Sequence, residues 1–219
     1  MLKTIFNWFD ERLGLITIYN LVLDRKVPKV NWWFTLGSAS LFLFALQAAT
    51  GIFLSVYYVP TPDHAYESIE YIMNEVAFGW LIRGIHHWGA SLMVLVVFIH
   101  MLRVFYYGAY KYPREFTWIT GVFLLLFTLG MGFTGYLLPW NQRAYWATTV
   151  GTRIVGTVPF IGDFLLKVLR GGSDLSAVTL ARFFSVHIWW LPALLCILIG
   201  IHLYMVIRLG ISGVPDEEE

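Results

Sequence analysis

The stretch GIHHWGASLMVLVVFIHMLRV, residues 84–104, decides how the rest of the chain is read. It is an apolar run long enough to cross a bilayer as a helix, yet it carries His86 and His100, fourteen residues apart. At about 100° per residue the two rings fall only about 40° apart around the helix, and at about 1.5 Å per residue their Cα atoms lie about 21 Å apart along it. Each ring would therefore sit near one edge of a hydrocarbon layer about 30 Å thick. A polar ring in lipid is costly unless it finds a partner, so the remaining sequence is searched for one.

Composition sets the class. Of 219 residues, 58% are hydrophobic and 13% charged, and the mean hydropathy is +0.66. Those values belong to an integral membrane protein. A net charge of +1 gives no basis for nucleic-acid binding. The single cysteine, Cys196, rules out an intrachain disulfide or a cysteine-based metal cluster. The charged opening MLKTIFNWFDERLG does not read as a cleavable signal peptide.

Residues 1–29 read as an N-terminal interfacial helix. Ile5, Trp8, Phe9, Leu13, Ile16 and Tyr19 recur at helical spacing among Lys3, Asp10, Glu11 and Arg12. Four charge-poor runs follow, predicting spans at about 32–58, 80–106, 116–137 and 177–208. The expected fold is all-α and integral to the membrane, a four transmembrane helix bundle over residues 30–210, followed by an acidic C-terminal tail, 211–219. The segment 138–175 is too long for a plain turn and is expected to be structured. Lys111 and Arg114 between the second and third spans, with the N-terminal cations, place both termini on the cytoplasmic side; Arg143, Arg153, Lys167 and Arg170 in the long loop run against that rule.

The partner histidines lie in SVHIWWLPALLCILIGIHLYM, at His187 and His202. The second and fourth spans run in the same direction, so His86 shares one depth with His187 and His100 shares the other with His202. Two matched pairs fit two bis-histidine b-type haems stacked across the bilayer. Zinc would need further acidic or thiol ligands, and these spans offer none at the depth of either histidine pair. The step from His187 to His202 is fifteen, and Pro192 between them is expected to loosen a turn and correct the register. Gly37 and Gly51 in the first span, and Gly121 and Gly135 in the third, repeat the fourteen-residue step and should let a flat ring approach the backbone. Arg83 and Arg103 flank His86 and His100 and are expected to meet haem propionates.

With those residues in hand, the chain resembles the N-terminal, haem-binding part of cytochrome b of Rieske/cytochrome b complexes. The resemblance rests on RGIHHWGASLMVLVVFIH, TWITGVFLLLFTLGMGFTGYLLPWNQRAYW, PFIGDFLLKVLRGG and RFFSVHIWWLPALLCILIGIH, with Gly135–Gln142 as the specific signature. The length and the fifteen-residue step are similar to the short split form, cytochrome b6 of b6f-type complexes, in a bacterial-like version. It implies a subunit of a quinol:cytochrome c (or plastocyanin-like acceptor) oxidoreductase in a bacterial inner membrane, coupled to proton translocation. Implied partners are a Rieske iron–sulfur protein, a separate C-terminal subunit and a cytochrome c, in a homodimeric complex. Tyr136, Leu138, Pro139, Trp146, Ala147 and Val150 are the implied outer quinone-site candidates, and Arg25 and Arg208 the inner ones. Where b6f-type proteins hold a third haem through a cysteine, Thr35 stands here, so no covalent third haem is expected. Two other readings are a ferric-reductase-like di-haem conduit, which would carry a nucleotide domain absent from this sequence, and a haem-free scaffold whose histidines only bridge helices.

Overall fold

The computed structural model describes residues 1–22 and 31–211; Arg25 and the acidic tail beyond Ile211 lie outside them. The chain divides into two units, Met1–Trp32 and Trp33–Glu219.

In the first unit, the amphipathic segment forms two helices, α1 (Leu2–Leu13) and α2 (Leu15–Val22), where the sequence suggests one. The break falls at Gly14, whose φ of 62° is left-handed and whose N–H closes on the Asp10 carbonyl. The Asp10 carboxylate then accepts the Ile16 N–H at 2.6 Å and so caps α2. Ile5, Trp8, Phe9, Leu13, Ile16 and Tyr19 are all exposed, as an interfacial segment requires.

The second unit starts within a 3₁₀ turn, Trp32–Thr35, which leads into α3 (Leu36–Tyr57). The short α4 (Ala65–Asn74) links it to α5 (Gly79–Tyr106), and α6 (Glu115–Leu137) follows. The segment after α6 contains α7 (Gln142–Gly156) and α8 (Gly162–Arg170). The last long element starts as α9 (Ala177–Ser185), passes through a π-helical turn at Val186–Trp190 and continues as α10 (Leu191–Leu209). No strand occurs among the described residues. Among the described residues, four helical stretches are long and apolar enough to cross a membrane: Trp32–Tyr57, Gly79–Tyr106, Glu115–Leu137 and Ala177–Leu209. The chain is therefore an all-helical integral membrane protein. Each span contributes only a few buried residues, and large apolar side chains such as Phe42, Ile52, Phe98 and Ile197 face outward.

The spans associate as two antiparallel pairs, α3 with α5 and α6 with α10. Above one end of the bundle, α7, α8 and α9 are locked by Arg170. This arginine is 3% exposed. Its Nε donates to Thr152 Oγ1 at 2.8 Å, its Nη2 to the Thr149 carbonyl at 2.9 Å and its Nη1 to the Ser173 carbonyl at 2.8 Å. Thr179 Oγ1 in turn donates to the Arg170 carbonyl at 2.6 Å. A buried cation needs this many acceptors to offset its lost hydration. Tyr58, at the end of α3, donates to the Leu138 carbonyl at 2.6 Å and ties the first pair to the loop leaving the second. Burial pushes its phenol pKa up, so it stays a neutral donor.

Candidate cofactor site

Each span pair brings glycines onto histidines. The Cβ that Gly51 lacks would lie 3.2 Å from His86 Cε1, and that of Gly37 3.2 Å from His100 Cε1. Across the other pair, Gly121 stands 3.5 Å from His202 Cε1 and Gly135 2.6 Å from His187 Cε1 by the same measure. The flat ring that each glycine admits in this structure is thus the imidazole of the neighbouring helix, which lets two backbones close around it.

Register explains why glycines and histidines meet at both ends. Rising fourteen residues along α3, from Gly37 to Gly51, means descending fourteen along α5, from His100 to His86. On the other side α6 rises fourteen, but the facing helix descends fifteen. The extra residue is taken up at Val186–Trp190, where the Leu191 N–H bonds back five residues to the Val186 carbonyl. Pro192 follows at the first turn of α10. It has no N–H for the Ile188 carbonyl and its ring would crowd that carbonyl in a regular helix, so the wider turn relieves both defects.

The histidines face each other across the gap between the pairs. The His86 and His187 rings have centroids 6.4 Å apart at an interplanar angle of 79°. Two metal–imidazole bonds of about 2 Å each, plus the half-widths of two rings, give about that separation. At the other end, His100 and His202 line one cavity of about 340 Å³, together with Gly37, Gly121, Arg103 and Arg114. No cluster of three or more His, Cys, Asp or Glu suited to a metal ion occurs among the described residues. Two-histidine sites of this kind suit an iron whose other ligands come from a macrocycle.

Three of the histidines have hydroxyl partners on Nδ1. Thr50 Oγ1 lies 2.9 Å from His86 Nδ1, Thr134 Oγ1 3.1 Å from His187 Nδ1, and Thr120 Oγ1 3.0 Å from His202 Nδ1. Each threonine immediately precedes a glycine that the same ring touches. Nε2 is left to face the gap. From the sequence, Gly51, Gly121 and Gly135 stand out by their spacing, but the threonine that precedes each does not.

The cationic groups separate by position. Arg103 is buried at 9% exposure. Its guanidinium lies 3.8 Å over the Phe34 ring and 5.8 Å from Tyr107, and its Nε has no hydrogen-bond partner among the described residues. Arg114 also lines the cavity; its Nη2 donates to the Leu209 carbonyl at 3.3 Å, and its Nε too has no partner among the described residues. Thr117 Oγ1, on the same wall, is likewise buried without one among them. A buried cation at Arg103 and a half-buried one at Arg114, each with an unspent donor beside a cavity, fit an anionic group. Arg83 is half-buried, with Nη1 4.0 Å from the Met73 sulfur. From the sequence, Arg114 signals only topology.

Of the quinone-site candidates, Trp146, Ala147 and Val150 form an exposed face of α7, and Tyr136 at the end of α6 is also exposed. Pro139 is half-buried at the turn between them. Arg208 is exposed in the last turn of α10. Thr35 sits at the start of α3, and its carbonyl accepts from Ser38 Oγ at 2.7 Å.

Paired histidines at two levels of a membrane helix bundle, backed by glycine and flanked by unspent arginine donors, define a haem-binding membrane cytochrome. The chain belongs to the cytochrome b/b6/petB family, whose model matches residues 22–210. It is 45% identical over 222 residues to the menaquinol:cytochrome c reductase cytochrome b subunit of Geobacillus thermodenitrificans, covering 97% of this chain and 99% of that one. It is 44% identical over 210 residues to cytochrome b6 of Prochlorococcus marinus (strain NATL1A), covering 95% and 96%. A solved chain of a hyperthermophilic respiratory complex III superposes with a TM-score of 0.86 at 35% identity; the match covers 97% of this chain and 58% of that longer one. Family membership implies b-type haem and interaction with a quinone.

Proposed function

We propose that this chain is the di-haem cytochrome b subunit of a quinol-oxidising complex. It would oxidise quinol at one membrane face, pass electrons across the bilayer to a quinone site at the other, and couple this to proton translocation. The observation that carries the reading is the set of two histidine pairs, one at each level of the bundle, each ring seated on a glycine. The names of the relatives support a quinol donor, menaquinol among them, and a cytochrome c acceptor.

On this reading His86 and His187 hold one haem, and His100 and His202 the other. Each haem supplies reversible one-electron chemistry at its own depth. The protein supplies the rest. Gly37, Gly51, Gly121 and Gly135 let the helices close on the ligand rings. Arg103 and Arg114 offer donors to carboxylates at the inner level, with Arg83 in the corresponding place at the outer level. The apolar outward surface holds both levels in lipid and away from water. The exposed α7 face with Tyr136 and Pro139 is the outer quinone-site candidate; Arg25 and Arg208 are the inner ones. Thr35 carries no thiol, so a thioether-linked third haem has no attachment point there.

The cationic loop between α5 and α6 and the even number of spans support both termini on the cytoplasmic side of a bacterial inner membrane. The proposed partners are a Rieske protein, a separate C-terminal subunit and a cytochrome c, in a homodimeric complex. The test is the haem content and reduced-minus-oxidised spectrum of the purified complex. Two b-type haems per chain are expected. His86→Ala and His187→Ala should abolish the same spectral component, and His100→Ala and His202→Ala the other; any other grouping overturns the assignment.

A further inference from the structure

Thr50, Thr120 and Thr134 each spend their single hydroxyl proton on their own helix. Thr50 donates to the Leu46 carbonyl at 2.7 Å, Thr134 to the Gly130 carbonyl at 2.9 Å and Thr120 to the Thr117 carbonyl at 2.9 Å. A hydroxyl has one proton, so each oxygen can meet its histidine only as an acceptor. Nδ1 must therefore carry the proton in all three rings, and Nε2 presents its lone pair to the gap.

His100 breaks the pattern. Its glycine is present, but the residue before Gly37 is Leu36, and no hydrogen bond to His100 Nδ1 occurs among the described residues. The reason is local. Leu36 is the first residue of α3, and the turn before it is 3₁₀, so the carbonyls one turn back are not in an α-helical array. The hydroxyls of Ser38 and Ser40 donate to the carbonyls of Thr35 and Leu36.

We infer that Thr50, Thr134 and Thr120 are positioning residues that fix the tautomer and strengthen the donor character of three axial ligands, and that Leu36 leaves His100 as the one unanchored, weaker-donor ligand. A hydrogen bond from Nδ1–H makes an imidazole more basic toward its metal, which favours the ferric state and lowers the reduction potential. The outer level thus has two strengthened ligands and the inner level one. This rests on the di-haem reading above, and wild-type complex without two b-type haems would overturn that reading before this one is reached.

The test is a redox titration of the purified complex with low-temperature EPR of the ferric haems. Thr50→Val and Thr134→Val should each raise the potential of the His86/His187 haem alone. The expected change is roughly three- to tenfold in the ferrous-to-ferric ratio at fixed potential, tenfold being about 59 mV for one electron. Thr50→Ser and Thr134→Ser, which keep the hydroxyl, should restore both the potential and the EPR signal. Leu36→Thr should lower the potential of the His100/His202 haem alone. Loss of the outer haem in a valine variant but not in its serine partner also supports the role. Unchanged potentials in the valine variants, haem loss in both valine and serine forms, or an unmoved inner haem in Leu36→Thr would each overturn it.

Discussion

At the scale of single residues, the site turns on how closely an imidazole can approach a glycine, and the four glycines are not equivalent. A methyl at Gly135 would lie 2.6 Å from His187 Cε1 and 3.2 Å from both ring nitrogens, so the ring must move. At Gly37 and Gly51 the closest approach is 3.2 Å, which a shift of a few tenths of an ångström relieves, and at Gly121 it is 3.5 Å, ordinary contact. Overpacking of the first kind costs about 1–3 kcal/mol, a loss of affinity of about fivefold to about 150-fold. Haem content per purified chain should therefore fall most for Gly135→Ala, moderately for Gly37→Ala and Gly51→Ala, and little for Gly121→Ala. An equal loss at all four positions would contradict this ordering. The histidines and glycines were legible in the sequence because a fixed fourteen-residue step survives any detail of packing. The threonines were not, because a threonine in an apolar helix ordinarily bonds to its own carbonyl ladder; only its contact with a ring thirty-six or more residues away reveals the second role.

At the scale of elements, the informative feature is the π turn at Val186–Trp190. From the sequence, Pro192 pointed to a disturbed turn and the fifteen-residue step to a register problem. That one element resolves both is a property of the backbone ladder, which composition does not encode. Pro192→Ala restores the missing N–H and allows a regular α-helix, which would turn His187 by about 60° relative to His202. The expected result is selective loss of the His86/His187 spectral component with the His100/His202 component retained. Removing Trp189, an exposed residue of the π turn, in the Pro192→Ala background returns the step to fourteen and should bring the lost component back. If Pro192→Ala leaves both components intact, the proline does not maintain the wide turn. The same ladder logic explains why one amphipathic helix became two: Gly14 alone was a weak signal, and the Asp10 carboxylate that caps α2 lies in the helix before it.

At the scale of the whole second unit, the histidine–glycine contacts lie within each span pair and the cofactor gap lies between the pairs. α3 and α5 close on each other through Gly37–His100 and Gly51–His86, α6 and α10 through Gly121–His202 and Gly135–His187. Between them at the His100/His202 level is the cavity of about 340 Å³, with arginine donors that have no partner among the described residues. Lipid is as apolar as the helix surfaces, so no hydrophobic force drives the two halves together. On the proposed di-haem reading, what fills the gap supplies much of the attraction, through ligation at the four imidazoles and through anions at Arg103 and Arg114. A ligand present at a thousand times its dissociation constant adds about 4 kcal/mol to the folded state. Membranes made under haem limitation should therefore hold this chain with its halves loosely associated. Limited proteolysis in the α5–α6 connection, Tyr107–Arg114, should be at least about tenfold faster there than in haem-replete membranes, because 4 kcal/mol exceeds the 1.4 kcal/mol that each tenfold change in opening requires. Equal cleavage rates in the two preparations would mean that helix packing alone holds the pairs together, and that the cavity is a preformed socket rather than a seam closed by its cofactor.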